Sequence, residues 1–402
     1  MSFLFWLALL TVTIWFVAAL DIMIGNRRVR ALRDISPLPA SGAPRVSIIV
    51  AARNEERNIR EAIAALLLLS YPDYELIAVD DRSDDGTGAI LDEIGAADSR
   101  LRVLHVRELQ PGWLGKNHAL WRGAGEASGE LLLFTDADII MEPTVLGRAV
   151  AMLTEESLDQ LAVSPSMTMQ TTFLQMFGAS FIIFFSMFAR PWKARDPKSS
   201  CHVGIGAFNL VRATAYRGVG GHETIRLRPD DDMKLGKILK KRGFRCDVAY
   251  GPDFLSVEWY SSLGEVLRGL EKNAFSGCDY RVWFALSGVV FHLAGTVWPY
   301  LALFFTSGPT RLLYAGVVLL LTVLFADCAS FHGSRRWYAV GFPLATLLFV
   351  WIIIRTTTLN LLQGGISWRG TFYSLAELKK NRVLSRFIRR PCTLSATVPV
   401  PC

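Results

Sequence analysis

The chain contains no Cys-x-x-Cys pair: its six cysteines (Cys201, Cys246, Cys278, Cys328, Cys392 and Cys402) are scattered over 402 residues. That spacing excludes a zinc ribbon or a disulfide framework and leaves reduced cytosolic thiols as the expectation. No G-x-x-x-x-G-K-[ST] sequence occurs, which removes a P-loop, and the glycine-rich stretch GIGAFNLVRATAYRGVGGHET (204–224) lacks the G-x-G-x-x-G order of a dinucleotide fold. No basic residue precedes the first apolar run, which argues against a cleaved signal peptide. Charge is sparse at 20% against 51% hydrophobic residues, with a mean hydropathy of +0.31. Such a chain is too apolar for an ordinary soluble protein and too charged for a pure membrane bundle, so one soluble domain plus several membrane segments is expected.

The charge that is present is basic, +7 net, and much of it sits beside apolar segments at Arg27, Arg28, Arg30, Arg33, Lys379, Lys380 and Arg382. That placement fits anchoring at a membrane surface, and no nucleic-acid partner is expected. Phe3–Leu20 carries no charge over 18 residues and approaches one bilayer crossing. The arginines that follow put the amino terminus outside and residues from 27 onward in the cytoplasm. Three more runs, 283–306, 312–329 and 338–354, read as spans. Four spans leave the tail outside, whereas Lys379, Lys380, Arg382, Arg386, Arg389 and Arg390 favour the inside, and the two arguments conflict. Residues 171–189 are also uncharged, but a crossing there would separate Asp136 from the acidic cluster at 230–232, so the segment is expected to lie in the interface or to re-enter, an interfacial helix being preferred over a span. The expected organisation is an anchor (1–26), a linker (27–44), a cytoplasmic domain (45–257) containing an interfacial helix (171–190), an amphipathic helix (258–282), three spans (283–356) and a basic tail (357–402).

Within the domain, short β-branched runs at 46–50, 74–79, 100–106 and 131–135 alternate with helical patterns after Asn54, a plausible N-cap, and at 86–97 and 116–127. This alternation predicts a mainly parallel sheet covered on both faces, with ligands bound beyond the carboxyl ends of its strands. Asp80, Asp81, Asp136 and Asp138 all fall at such ends. Alone, VDDRSDDGT reads equally well as a solvated acidic turn. In TDAD, residues i and i+2 leaving a strand point the same way, so two carboxylates crowd one space. A hard divalent cation, Mg²⁺ or Mn²⁺, completed by phosphate oxygens, answers that repulsion.

In this order and spacing over about 95 residues, VSIIVAARNEERNI, AVDDRSDDGT, GWLGKNHAL and LLLFTDADI resemble the membrane-bound family 2 glycosyltransferases. The resemblance implies an α/β GT-A fold, that is, a nucleotide-diphospho-sugar transferase with a Rossmann-like mixed sheet, joined here to transmembrane α-helices. It implies an inverting enzyme using a UDP- or GDP-sugar, with Ala52, Asn54 and Glu55 bordering the nucleotide and Asp80 and Asp81 on base and ribose. Lys116 would approach the diphosphate, although a plain surface lysine at a helix start is the alternative. Asp136 would contact the donor and, with Asp138, hold the metal.

In RLRPDDDMKLG the family's acidic pair aligns best with Asp231 and Asp232, making Asp232 the base; Asp231 replaces the usual Glu, which leaves the register open by one residue. One or two of the three aspartates could serve only the helix dipole. Gly221 and His222 fall on the family's acceptor side, His222 either steering a phosphate or hydroxyl or serving as a turn residue. A Q-x-x-R-W motif is missing from LGEVLRGLEKNAFSG (263–277), which instead carries an apolar stripe of Leu263, Val266, Leu267 and Leu270. Its Arg268 or Lys272 could replace the missing arginine or meet a lipid headgroup. That absence and the few spans argue against a processive polysaccharide synthase. GGISWRGTFYSL (364–375) resembles a recurring segment of the family, with interfacial anchoring by Trp368, Arg369 and Tyr373 as its only expected role. The expected activity is transfer of one sugar to a lipid (ceramide-like, diacylglycerol, carotenoid, hopanoid or polyprenyl phosphate) at the cytoplasmic face of the cell inner membrane. The rivals are a processive synthase and a non-catalytic scaffold.

Overall fold

The protein, a computed structural model, is described over residues 2–381. Arg382, Arg386, Arg389, Arg390, Cys392 and Cys402 lie outside the described residues, as does the side chain of Lys272.

Val46–Ala52 reads VSIIVAA, and Val46 through Val50 are buried. A run apolar on both faces belongs inside a sheet with helices on either side. Its neighbours Tyr74–Asp81 and Leu131–Asp136 pair with it in parallel, setting Ala52 opposite Asp80 and Ala51 opposite Asp136. Leu101–Val106 extends the sheet past Tyr74–Asp81. On the other side follow Asn209–Arg212, Gln160–Ser164, Cys246–Tyr250 and the edge strand Arg30–Ala31. Asn209–Arg212 is antiparallel to both neighbours, so this eight-stranded sheet is mixed. Only four residues long, that strand sits inside the glycine-rich stretch and has no periodic signature of its own.

A smaller sheet of Ile139–Met141, Leu255–Tyr260 and Ser166–Met169 begins directly after Asp138 and leads into the helix Thr172–Ala189. Asn54 does not cap a helix. The helix begins at Ile59 behind Asn58, and Asn54 adopts a left-handed φ of 55°, which Asn tolerates better than most residues. Its N–H donates to Ser83 Oγ at 3.1 Å and its Oδ1 accepts from the Asp84 N–H at 2.9 Å, stitching the loop after the first long strand to the loop after the second.

Among the described residues, five helical segments are long and apolar enough to cross a membrane: Phe3–Asn26, Thr172–Lys193, Val282–Phe305, Gly308–Phe331 and Arg336–Leu362. Phe3–Asn26 and Gly308–Phe331 run side by side in the same direction, with Ala8 against Tyr314 at one end and Arg27 paired with Asp327 at 2.6 Å at the other. Val282–Phe305 runs the opposite way: Ala302 meets Ala8, and Trp15 Nε1 donates to the Gly295 carbonyl at 2.7 Å. In an α-helix that carbonyl would accept from residue 299, but Pro299 has no N–H. The segment therefore opens into a π turn, Leu293–Val297, and the indole takes the oxygen.

The remaining two helices behave differently. Thr172–Ala189 follows the small sheet and returns to the strand Asn209–Arg212. Phe342–Leu362 is preceded by His332, whose ring meets Tyr250 at 4.7 Å, and is followed by a hairpin, Gly365–Trp368 with Thr371–Ser374, that packs on Leu114 and Leu227. Both helices thus begin and end against the soluble domain. They touch each other through Phe184 and Phe349, ring centroids 4.8 Å apart, and cover Val266 and Leu270 of the amphipathic helix Leu263–Gly277.

Candidate active site

Parallel pairing sets the carboxyl ends of Tyr74–Asp81 and Leu131–Asp136 on one rim, so Asp80, Asp81 and Asp136 share it. Lys116, in the first turn of the helix Gly115–Glu126, reaches the same rim and lies 2.6 Å from Asp136 Oδ1 and 3.6 Å from Asp231 Oδ1. Residues 136 and 231, far apart in sequence, therefore meet at one ammonium. Burial alone would lower the Lys116 pKa, but Asp136, Asp231 and Asp232 raise it well above the usual lysine range. It stays a cation.

The three consecutive aspartates separate into three environments. Asp230 faces Lys234 and the fully buried Arg228, each at 3.1 Å, and these cations overcome burial to hold it below the usual carboxylate range. Asp231 turns to Lys116, with His222 Nε2 at 3.9 Å. Asp232 accepts from the Gly206 N–H at 2.8 Å and the Met233 N–H at 2.7 Å, while burial and the Asp231 charge push it up to about 7. The sequence left open which aspartates stand outside the chemistry; Asp230 is taken up by ion pairs and makes no side-chain hydrogen bond to the helix end.

Glycine explains how the two acidic groups come so close. A Cβ on Gly206 would lie 2.5 Å from Asp136 Oδ2, and one on Gly204 would lie 1.8 Å from the Asp232 carbonyl. The segment also accepts the Asp136 N–H on the Gly206 carbonyl at 3.1 Å. One bare loop thus spaces Asp136 from Asp232.

Asp136, Asp138, Lys116, Glu55, Asp231 and Asp232 line one cavity of about 490 Å³. Its other wall is apolar, with Phe181, Ile182 and Phe185 of Thr172–Ala189 and Trp259 of the small sheet. Burial, together with the charges of Asp136 and Glu55, pushes Asp138 up to about 7. Ala52, Asn54, Asp80 and Asp81 do not line this cavity. Asp81 is held by its neighbour Arg82 at 2.8 Å, and Asp80 by His105 at 3.0 Å. His222 and Gly221 stand behind the acidic cluster, and burial keeps the imidazole neutral, its pKa pushed down to about 3. Its Nδ1 pairs with Tyr216 Oη at 2.9 Å and its ring meets the Phe134 face, so it buttresses Asp231. Arg268 is exposed and lies off the cavity.

Residues 47–220 match the family model Glycosyl transferase family 2. Those residues form a family 2 glycosyltransferase domain, and the protein is a glycosyltransferase. Two relatives from Staphylococcus aureus, strains MRSA252 and USA300, are each named 4,4'-diaponeurosporenoate glycosyltransferase and are 23% identical to this glycosyltransferase, covering 83% of its chain and 89% of their own. A solved mannosyltransferase from Pyrobaculum calidifontis, in complex with GDP-Man and Mn²⁺, has a similar fold at a TM-score of 0.55 and 18% identity, over 86% of this chain and 99% of its own. The likeness bears out the GT-A expectation for the fold.

Sequence reasoning missed two features of the glycosyltransferase's site. Gly204 and Gly206 were noted only as part of a glycine-rich stretch, although glycine at every second position beside acidic strand ends is a signal of close backbone approach. Arg369, expected only at a membrane interface, lines the cavity and pairs with Glu55 at 3.4 Å. No local pattern carries a contact between residues 314 positions apart.

Proposed function

We propose that the protein transfers a single sugar from a UDP- or GDP-sugar to a membrane lipid at the cytoplasmic face of the inner membrane. The observation carrying this reading is the two-sided cavity: carboxylates and a lysine on one wall, Phe181, Ile182, Phe185 and Trp259 on the other. A long apolar acceptor with one polar end suits such walls, and the acceptor named for the staphylococcal relatives is of that kind. Asn273 Oδ1 and both ring nitrogens of His332 line the cavity, are buried and have no hydrogen-bond partner among the described residues, which favours a polar ligand group beside them.

In this reading Asp232 removes the proton of an acceptor hydroxyl as its oxygen attacks the anomeric carbon, and the bond from that carbon to the diphosphate breaks with inversion. Two backbone N–H groups orient the carboxylate, and it lacks the lysine contact that weakens Asp231 as a base. Lys116 attracts the departing diphosphate as a compact cation. No group of three or more His, Cys, Asp and Glu among the described residues forms a complete metal cage. Asp136 and Asp138 nevertheless fit a shared site, because their mutual repulsion is what a divalent cation relieves, and they would hold Mg²⁺ or Mn²⁺. Such an ion supplies charge stabilisation to a leaving diphosphate.

The helix contacts support three crossings, by Phe3–Asn26, Val282–Phe305 and Gly308–Phe331. Thr172–Ala189 and Phe342–Leu362 return to the side they left and would lie in the interface, flooring the cavity toward lipid. The sequence reading of 338–354 as a span is replaced in this arrangement, which also puts the tail inside with its basic residues.

Incubating the purified protein with a panel of nucleotide-sugars and a lipid extract tests the proposal. One lipid product bearing one sugar is expected, with nucleoside diphosphate release that is lost on chelation and lowered about 10²–10⁴-fold in Asp232→Asn. A ladder of products would establish the processive alternative. Turnover surviving both Asp232→Asn and Asp138→Ala would overturn the catalytic assignment.

A further inference from the structure

The hairpin after the last apolar helix is built into the donor side of the cavity. Ile366, Tyr373, Leu375 and Leu378 pack in one cluster with Leu114, Leu227, Phe275 and Tyr280. Leu114 immediately precedes the helix that carries Lys116, and Leu227 stands just before the aspartate trio. Asn381 ties the far end, accepting from the Leu227 N–H at 3.2 Å and donating to the Thr224 carbonyl. The strands pair Trp368 with Thr371, leaving Arg369 and Gly370 as a two-residue turn with φ of 49° and 80°. Such turns favour Asn, Asp or Gly at the first position. Arginine there is strained, and strain of this kind concentrates at functional sites.

The turn presents Arg369 to the cavity that holds Lys116, Asp136 and Asp138, and Glu55 at 3.4 Å steadies the guanidinium on its wall. Arg53 and Arg82 lie close by: burial first, then the charges of Arg82 and Arg369, lower the Arg53 pKa despite Asp81 nearby. A guanidinium on the wall of a cavity that also holds a lysine invites a polyvalent anion, and the planar fork of arginine matches phosphate oxygens two at a time.

We propose that Arg369 is a donor-binding residue, its guanidinium grasping the diphosphate of the nucleotide-sugar from the carboxyl-terminal hairpin. This rests on the donor-site reading above and deepens it: the hairpin adds a cavity-lining arginine from outside the matched residues 47–220. It also supplies the arginine that the segment 263–277 lacks.

Calorimetric titration of the detergent-solubilised full chain with GDP, UDP, GMP and UMP, with Mn²⁺ present, tests the proposal. Arg369→Asn removes the charge while suiting the left-handed turn, so the hairpin stays folded; Arg369→Lys keeps a charge without the fork. Diphosphate affinity is expected to fall about tenfold or more in Arg369→Asn, to recover partly in Arg369→Lys, and to leave monophosphate affinity unchanged. Equal diphosphate affinity in wild type and Arg369→Asn would overturn the proposal, as would parallel loss for mono- and diphosphates. Failure of the wild type to bind any of the four nucleotides would instead remove the donor site itself, and the role of Arg369 with it.

Discussion

At the residue scale, Gly206 has the least chemistry and yet a tight constraint, since even a methyl group would collide with the Asp136 carboxylate. Gly206→Ala must push Asp136 from Lys116 or shift the N–H that holds Asp232. Because displacement of about 1 Å at a reacting centre can cost a hundredfold, kcat/KM is expected to fall about 10²-fold with the fold retained. Unchanged turnover in Gly206→Ala would show that the spacing between the two carboxylates is not used. The pair Asp136–Asp138 was legible in sequence because one residue separates the two at a strand's carboxyl end, although the strand stops at Asp136 and a turn carries Asp138. The choice among Asp230, Asp231 and Asp232 was not, because it depends on Arg228, Lys116 and Gly206, which reach them from three different elements.

At the element scale, the helix Asp231–Lys241 is fixed to Leu263–Gly277 by a buried ion network. Arg228, with no exposed surface, faces Asp230 and Asp279, each at 3.1 Å, donates to the Ser276 carbonyl at the same distance and lies over the Tyr280 ring. Lys234 joins both carboxylates at 3.1 Å. Arg228→Met fills the space and leaves two carboxylates short of a partner, so stability is expected to fall by about 3 kcal/mol, read as a lowered Tm in detergent. An unchanged Tm would mean that Lys234 and Lys237 suffice. Strands such as Val46–Ala52 were legible because burial on both faces demands an unbroken apolar run. Asn209–Arg212 was not, since its place between Gln160–Ser164 and Leu131–Asp136 is decided by long-range pairing. The apolar stripe read at 263–277 does face other helices, through Val266 and Leu270.

At the scale of the whole molecule, topology follows from parity. The hairpin and the Asn381 contacts hold residues 365–381 against the same domain that precedes Val282, and the proposed arrangement accordingly puts an even number of crossings between them. In the proposed arrangement Phe342–Leu362 begins and ends on one side, which hydropathy, counting apolar length alone, cannot see, and the tail then agrees with its own charge. A tag inserted between Ser307 and Gly308 is expected to be reachable from outside intact spheroplasts, and one appended after Cys402 only once they are permeabilised. External reactivity of the second tag would restore a fourth crossing.

The edge strand Arg30–Ala31 joins the large sheet beside Cys246–Tyr250 only a few residues after the first apolar helix ends at Asn26. A leash that short leaves the domain no room to rise or sink on its own. In the proposed arrangement the depth of the cavity mouth is therefore set by where that helix sits, and a host bilayer thicker or thinner than the native one would draw the mouth away from the plane in which a lipid acceptor would float.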